Sequence, residues 1–165
     1  MVTKTIDPMA IVARHQTSAP VNLEMIARDL SIRVYKEHLG SSIAGKIVRQ
    51  RLPGGSYSFA ISVNMADHPN RQRFTLAHEI AHYILHRDLI ESELTDNTLY
   101  RSELSGTYEA QANRLAADIL MPIPLLRSLR KQYPTTSALA KQFKVSEEAM
   151  RIRLETVSLN QYSLF

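Results

Sequence analysis

Cysteine is absent from all 165 residues, which removes disulfide scaffolds and thiolate metal sites together. Any bound metal must rely on histidine and carboxylate. No apolar stretch approaches the roughly 20 residues needed to cross a bilayer. The opening MVTKTIDPMAIVARHQ has an early lysine but lacks the uninterrupted apolar run of a secretion signal. Cytoplasmic residence without a membrane partner is therefore the expectation. Internal repeats and low-complexity tracts are missing too, which argues against solenoid and disordered architectures. What is present, 44% hydrophobic residues, suffices to bury one core with a short helical appendage.

The net charge of +4 is unevenly spread. Residues 1–75 carry ten Lys/Arg against five Asp/Glu, residues 76–120 three against eight, and residues 121–165 seven against three. An acidic centre thus lies between basic flanks. Such flanks suit an acidic partner or a solvated surface, and charge alone does not support direct nucleic-acid binding.

Running from the basic flank into the acidic centre is RQRFTLAHEIAHYILH, residues 71–86, with H-E-x-x-H at His78, Glu79 and His82. On a helix the two histidines fall on one face, about 6 Å apart by rise, close enough to share one metal ion. Catalytic zinc takes three protein ligands and leaves a fourth position to water. Glu79 projects to the side of the metal axis, where its carboxylate serves as general base instead of ligand. Phe74, Ala77, Ala81, Ile84 and Leu85 make much of the helix surface apolar, as expected of a helix in a core. Polar histidines there need a partner, and a metal supplies one.

The third ligand must come from elsewhere. His86 lies about 12 Å along the axis from His78, too far for one shared ion, so it is expected to be exposed or to support a ligand. A metzincin arrangement fails because Leu85 stands where its glycine belongs and Asp88 where its third histidine belongs. YEAQANRLAADILMP, residues 108–122, reads as a second helix with Leu115, Ala116, Ile119 and Leu120 as its apolar stripe. Glu109 on this helix completes a His, His, Glu set. Asn113, one turn later, can fix the tautomer of a liganding imidazole. The rival carboxylates Glu91, Glu93, Asp96 and Glu103 fall in a polar stretch where solvated charge is the default.

Together, RQRFTLAHEIAHYILH and YEAQANRLAADILMP, separated by an acidic insert, resemble the ImmA/IrrE family of metallopeptidases over about residues 71–122. The resemblance implies one zinc ion per chain on His78, His82 and Glu109, with Glu79 as base. It also implies a small gluzincin-like fold and limited proteolysis of a partner, commonly a helix-turn-helix repressor or antitoxin encoded nearby. One departure is Asn113, where many such helices carry a carboxylate. An amide oxygen still accepts a bond from imidazole N–H but brings no charge. The alternative is a non-catalytic, metal-containing module that sequesters such a regulator. Tyr83, Tyr100, Tyr108 and His86 are the candidate donors to a transition-state oxyanion.

The expected fold is α+β: a small zinc-peptidase domain with a short mixed sheet beside the H-E-x-x-H helix, plus C-terminal helices. Residues 21–30 read as a helix, SIRVYKE as a strand, and residues 44–52 and 57–64 as a hairpin around Pro53, Gly54 and Gly55. In the last strand Ser58, Ala60, Ser62 and Asn64 alternate with apolar residues, which suggests a sheet edge that holds an extended peptide substrate. Pro122 and Pro124 end the second metal helix, and LLRSLRKQY begins a new one. Residues 136–159 resemble a helix-turn-helix whose second helix starts at Ser146. Its Lys141, Lys144, Arg151 and Arg153 could meet phosphates, but Ala149, Met150, Ile152 and Leu154 favour packing against the core. The expected division is residues 1–125 for the metallopeptidase domain and 126–165 for a helical extension packed on it.

Overall fold

Local signals at the chain's start are simple. Pro8 at the first helical position and Asp7, whose carboxylate accepts from the Met9 amide at 3.0 Å, begin α1 (Pro8–Arg14). Asn22 does the same for α2 (Leu23–Asp29) through the Met25 amide, with Leu23, Ile26 and Ala27 buried on one side. The computed structural model describes residues 6–92 and 106–161. Of the rival acids, Glu93, Asp96 and Glu103, together with Tyr100, lie outside the described residues.

Three strands follow: β1 (Ile32–Glu37), β2 (Gly45–Arg51) and β3 (Tyr57–Asn64). The β2–β3 hairpin forms as expected, turning through Gly54 and Gly55 at φ +92° and +90°, a region that side chains disfavour. Strand order is β1-β3-β2, with β1 parallel and β2 antiparallel to β3.

This order overturns the expected role of Ser58, Ala60, Ser62 and Asn64. Their strand is central, hydrogen-bonded on both sides, and has no free edge for a peptide. Alternation misled because the small polar residues serve the interior. Ala60, Ser62 and Asn64 are buried, and Asn64 Nδ2 donates to the Gly40 and Ile43 carbonyls at 2.6 and 2.9 Å, tying down the loop before β2. Ser58 Oγ donates to Ser31 O at 3.1 Å. The edge beside the metal-site helix is β2.

Helix α3 (Pro69–Ser92) packs on β2 and on α4 (Gly106–Leu120). Leu76, Ala77, Ile80 and Ala81 are buried, whereas Leu85 is 46% exposed, so the apolar face is narrower than its composition suggested. The helix is interrupted at His86 (φ −127°, ψ 25°). Gly45 is what lets β2 approach α3. A Cβ there would collide with Thr75 Cγ2 and sit 3.0 Å from the Ser62 carbonyl.

Three more helices follow among the described residues: α5 (Ile123–Leu129), α6 (Thr136–Phe143) and α7 (Glu147–Gln161). Helix α5 starts two residues before the expected LLRSLRKQY, because Pro122 takes the extended conformation of the position just before it and Pro124 fits its first turn, where no amide donor is needed. Thr135 and Ser146 accept from the Ala138 and Ala149 amides, and Lys144 terminates α6 in the left-handed region. Leu139, Phe143, Met150 and Val157 join one continuous apolar cluster with Ile26, Ile61, Ile80 and Ile119. Arg153, buried on α7, donates from Nε to Met121 O at 3.0 Å and pairs with Asp118 at 2.7 Å, while Gln16 donates to the Asp118 and Ile119 carbonyls. Gln16 thus satisfies two of the C-terminal carbonyls of α4, and Arg153 binds the carbonyl just beyond its end. No helix among the described residues is long and apolar enough to cross a membrane.

Candidate metal centre

Helix α3 presents His78 and His82 one turn apart, and the first turn of α4 brings Glu109 to them. The two Nε2 atoms lie 3.0 Å apart. Glu109 Oε2 is 3.2 Å from His78 Nε2, and its Oε1 is 3.0 Å from His82 Nε2. One ligand atom from each residue falls within 4.8 Å of the others. Two imidazole lone pairs and a carboxylate gathered so closely repel one another unless a cation or proton sits among them. Nitrogen, nitrogen and oxygen donors of this kind fit a divalent metal such as zinc.

Histidine must be neutral to ligate, and burial favours that form at His82. Desolvation, reinforced by the neighbouring His78, lowers its pKa to about 4 despite the opposing pull of Glu109. His78 Nδ1 is 2.9 Å from Asn113 Oδ1, the contact expected if Asn113 holds the His78 tautomer. His86 is not exposed. It is buried, with its Nδ1 2.9 Å from His82 Nδ1, and it stands apart from the three clustered ligand atoms.

Glu79 is 3% exposed and lines a cleft of about 910 Å³ together with His78, His82, Glu109 and Asn113. A methyl group on Gly45 would stand 3.6 Å from Glu79 Oε1, so the carboxylate lies directly beside the β2 edge. Ala44 to Ile47 of β2 form one wall. Val145, Ser146, Glu148, Ala149 and Ile152, at the turn into α7 and along it, form another. The C-terminal helices therefore shape the cleft as well as the core, a role that local sequence patterns gave no sign of. Among the expected oxyanion donors, Tyr83 packs edge-on against Phe59 at 5.0 Å and Tyr108 against His86 at 4.9 Å. Neither lines the cleft, nor does His86.

An H-E-x-x-H helix, a carboxylate from a second helix and a small mixed sheet define a metallopeptidase-like centre of the two-histidine, one-carboxylate kind. Residues 27–155 match a peptidase family described as the IrrE N-terminal-like domain. The chain belongs to this ImmA/IrrE family of metallopeptidases. It is similar to the radiation response metalloprotease IrrE of Deinococcus radiodurans, 43% identical over 90 residues, which is 53% of this chain and 27% of that protein. Against the radiation response metalloprotease IrrE of Deinococcus deserti the identity is 42% over 84 residues, 49% of this chain and 29% of the relative. The chain thus matches under a third of the length of either relative. A solved structure described as a Mycobacterium tuberculosis transcriptional regulator shares the fold, with a TM-score of 0.52 at 18% identity over 87% of this chain and 44% of that one.

Proposed function

We infer that the chain is a zinc-dependent endopeptidase that performs limited proteolysis of a partner transcriptional regulator of the helix-turn-helix repressor or antitoxin type. The observation that carries the reading is the convergence of His78, His82 and Glu109 beside the buried Glu79, at a cleft bordered by β2, the outer strand of the sheet among the described residues. Membership of a metallopeptidase family supports it.

His78, His82 and Glu109 would hold the ion, which as a Lewis acid polarises the scissile carbonyl and acidifies water. Glu79 accepts the proton of the attacking water and returns it to the leaving amine. Its burial beside the strand keeps the carboxylate near the bond to be cut. The peptide lies in extended form along Ala44 to Ile47 of β2, using the edge that β3 lacks. Asn113 orients His78 with a neutral amide, so the ligand gains direction without added negative charge.

The test measures the metal content of purified protein and its cleavage of the helix-turn-helix regulator encoded beside it, for wild type and Glu79→Gln. The reading predicts about one zinc per chain in both and cleavage by wild type alone. Zinc in both with cleavage in neither would favour a module that sequesters the regulator, and absence of metal from both would remove the basis of the site.

A further inference from the structure

His82 is connected to a partner that the catalytic reading leaves without a task. Its Nδ1 lies 2.9 Å from His86 Nδ1, and His86 Nε2 lies 3.0 Å from Gln111 Oε1 on α4. His86 is 5% exposed, and the Tyr108 ring packs against it with centroids 4.9 Å apart. Water therefore has little access to compete for these bonds.

The chemistry of the chain of bonds fixes its direction. Two imidazole nitrogens at 2.9 Å share a single proton, one donating and the other accepting. For His82 to offer a bare Nε2 to a metal, its proton must sit on Nδ1. His86 Nδ1 must then be bare, and the His86 proton must sit on Nε2. That N–H needs an acceptor, and the Gln111 carbonyl oxygen is in place. The reverse polarity would put a proton on His82 Nε2, pointing at Glu109 Oε1 3.0 Å away and blocking a metal.

We propose that His86, anchored by Gln111, is a positioning residue that holds His82 in the tautomer able to bind metal. The proposal rests on the reading of His78, His82 and Glu109 as the metal site and adds what prepares one of its ligands. It explains why a histidine is buried one turn beyond the last ligand, where the helix is interrupted. Each histidine ligand is thereby oriented by an uncharged acceptor: Asn113 for His78, and His86 for His82.

The experiment measures zinc affinity by chelator competition for wild type, His86→Leu and His86→Asn, with the unfolding temperature of each metal-free protein alongside. Asparagine and leucine match in size, but only Asn offers an acceptor oxygen near the position of His Nδ1. The expected result is zinc binding about 10–100-fold weaker in His86→Leu, recovered for the most part in His86→Asn. Nitrogen-15 NMR of the zinc-loaded wild type should find the protons on His82 Nδ1 and His86 Nε2. Should His86→Leu fail to fold, Gln111→Leu at an exposed position decides, with weakened zinc binding expected. Wild-type affinity in a folded His86→Leu or Gln111→Leu, or a proton on His86 Nδ1, overturns the positioning role while leaving the metal site intact. A wild type that binds no zinc overturns the site itself.

Discussion

Phe143→Ala separates a C-terminal appendage from a C-terminal part of the core. Phe143 ends α6, is fully buried, and belongs to the cluster shared with Ile61 of the sheet and Ile80 of the metal-site helix. Truncating a fully buried phenylalanine costs about 3–5 kcal/mol in lost transfer energy and cavity. Domains have about 5–15 kcal/mol of total stability, so the loss is a large share. In a chain of this size it corresponds to a fall of roughly 6–20 °C in the unfolding temperature. Because the core is continuous, the loss should appear in one cooperative transition seen alike by far-ultraviolet circular dichroism, reporting all helices, and by tyrosine fluorescence. Removal of residues 126–165 should likewise destabilise the whole fold. A change below about 1 kcal/mol, or separate melting of α6 and α7 with the remainder at wild-type stability, would refute the single-core argument. It would also detach the α7 wall from the cleft.

Gly45→Ala should destabilise by about 1–3 kcal/mol through overpacking against Thr75 and the Ser62 carbonyl; urea denaturation measures this, and a neutral result would mean that β2 can shift without cost. Stability of the metal-free protein should depend on His82. Its folded pKa of about 4 lies below the 6.5 of an unperturbed histidine, so the unfolded state binds the extra proton between these values. The contribution is therefore whole above pH 6.5 and lost as pH falls towards 4, which thermal melts across that window would register as a declining midpoint. Zinc at 100 times its dissociation constant should stabilise the wild type by about 2.7 kcal/mol. Glu109→Gln, which exchanges the anionic ligand for an amide, should lose most of that increment at the same zinc concentration, as read by the zinc-dependent shift in melting temperature.

Much of the architecture was legible because its signals are local. Ser146 and the Pro53-Gly54-Gly55 turn each act within a few residues of their own position, and the corresponding elements start or turn where expected, while α2 begins at Leu23, two residues inside the expected 21–30, where Asn22 caps it. Asp7 and Pro8 carry the same kind of local signal for the first helix. His78 and His82 were joined by helical periodicity, and Glu109 and Asn113 by spacing on a second helix. Long-range order was harder. Nothing in the alternation of β3 says how many neighbours a strand has, and its small polar residues bond to loops far away in sequence, as Asn64 does to Gly40. The environment of His86 was hidden for the same reason, since Gln111 reaches it across 25 positions. The wall supplied by α7 depends on tertiary docking, fixed in part by Arg153 on Met121 and by Asn70 on Val145.

A crystal of the protein grown with zinc, with diffraction recorded on both sides of the zinc absorption edge, addresses the central claim most directly. The account predicts one anomalous peak enclosed by His78 Nε2, His82 Nε2 and a Glu109 carboxylate oxygen, at about 2.0–2.2 Å from each. A zinc-soaked crystal with no peak among those three atoms, or with its ordered zinc held by other side chains, would contradict it.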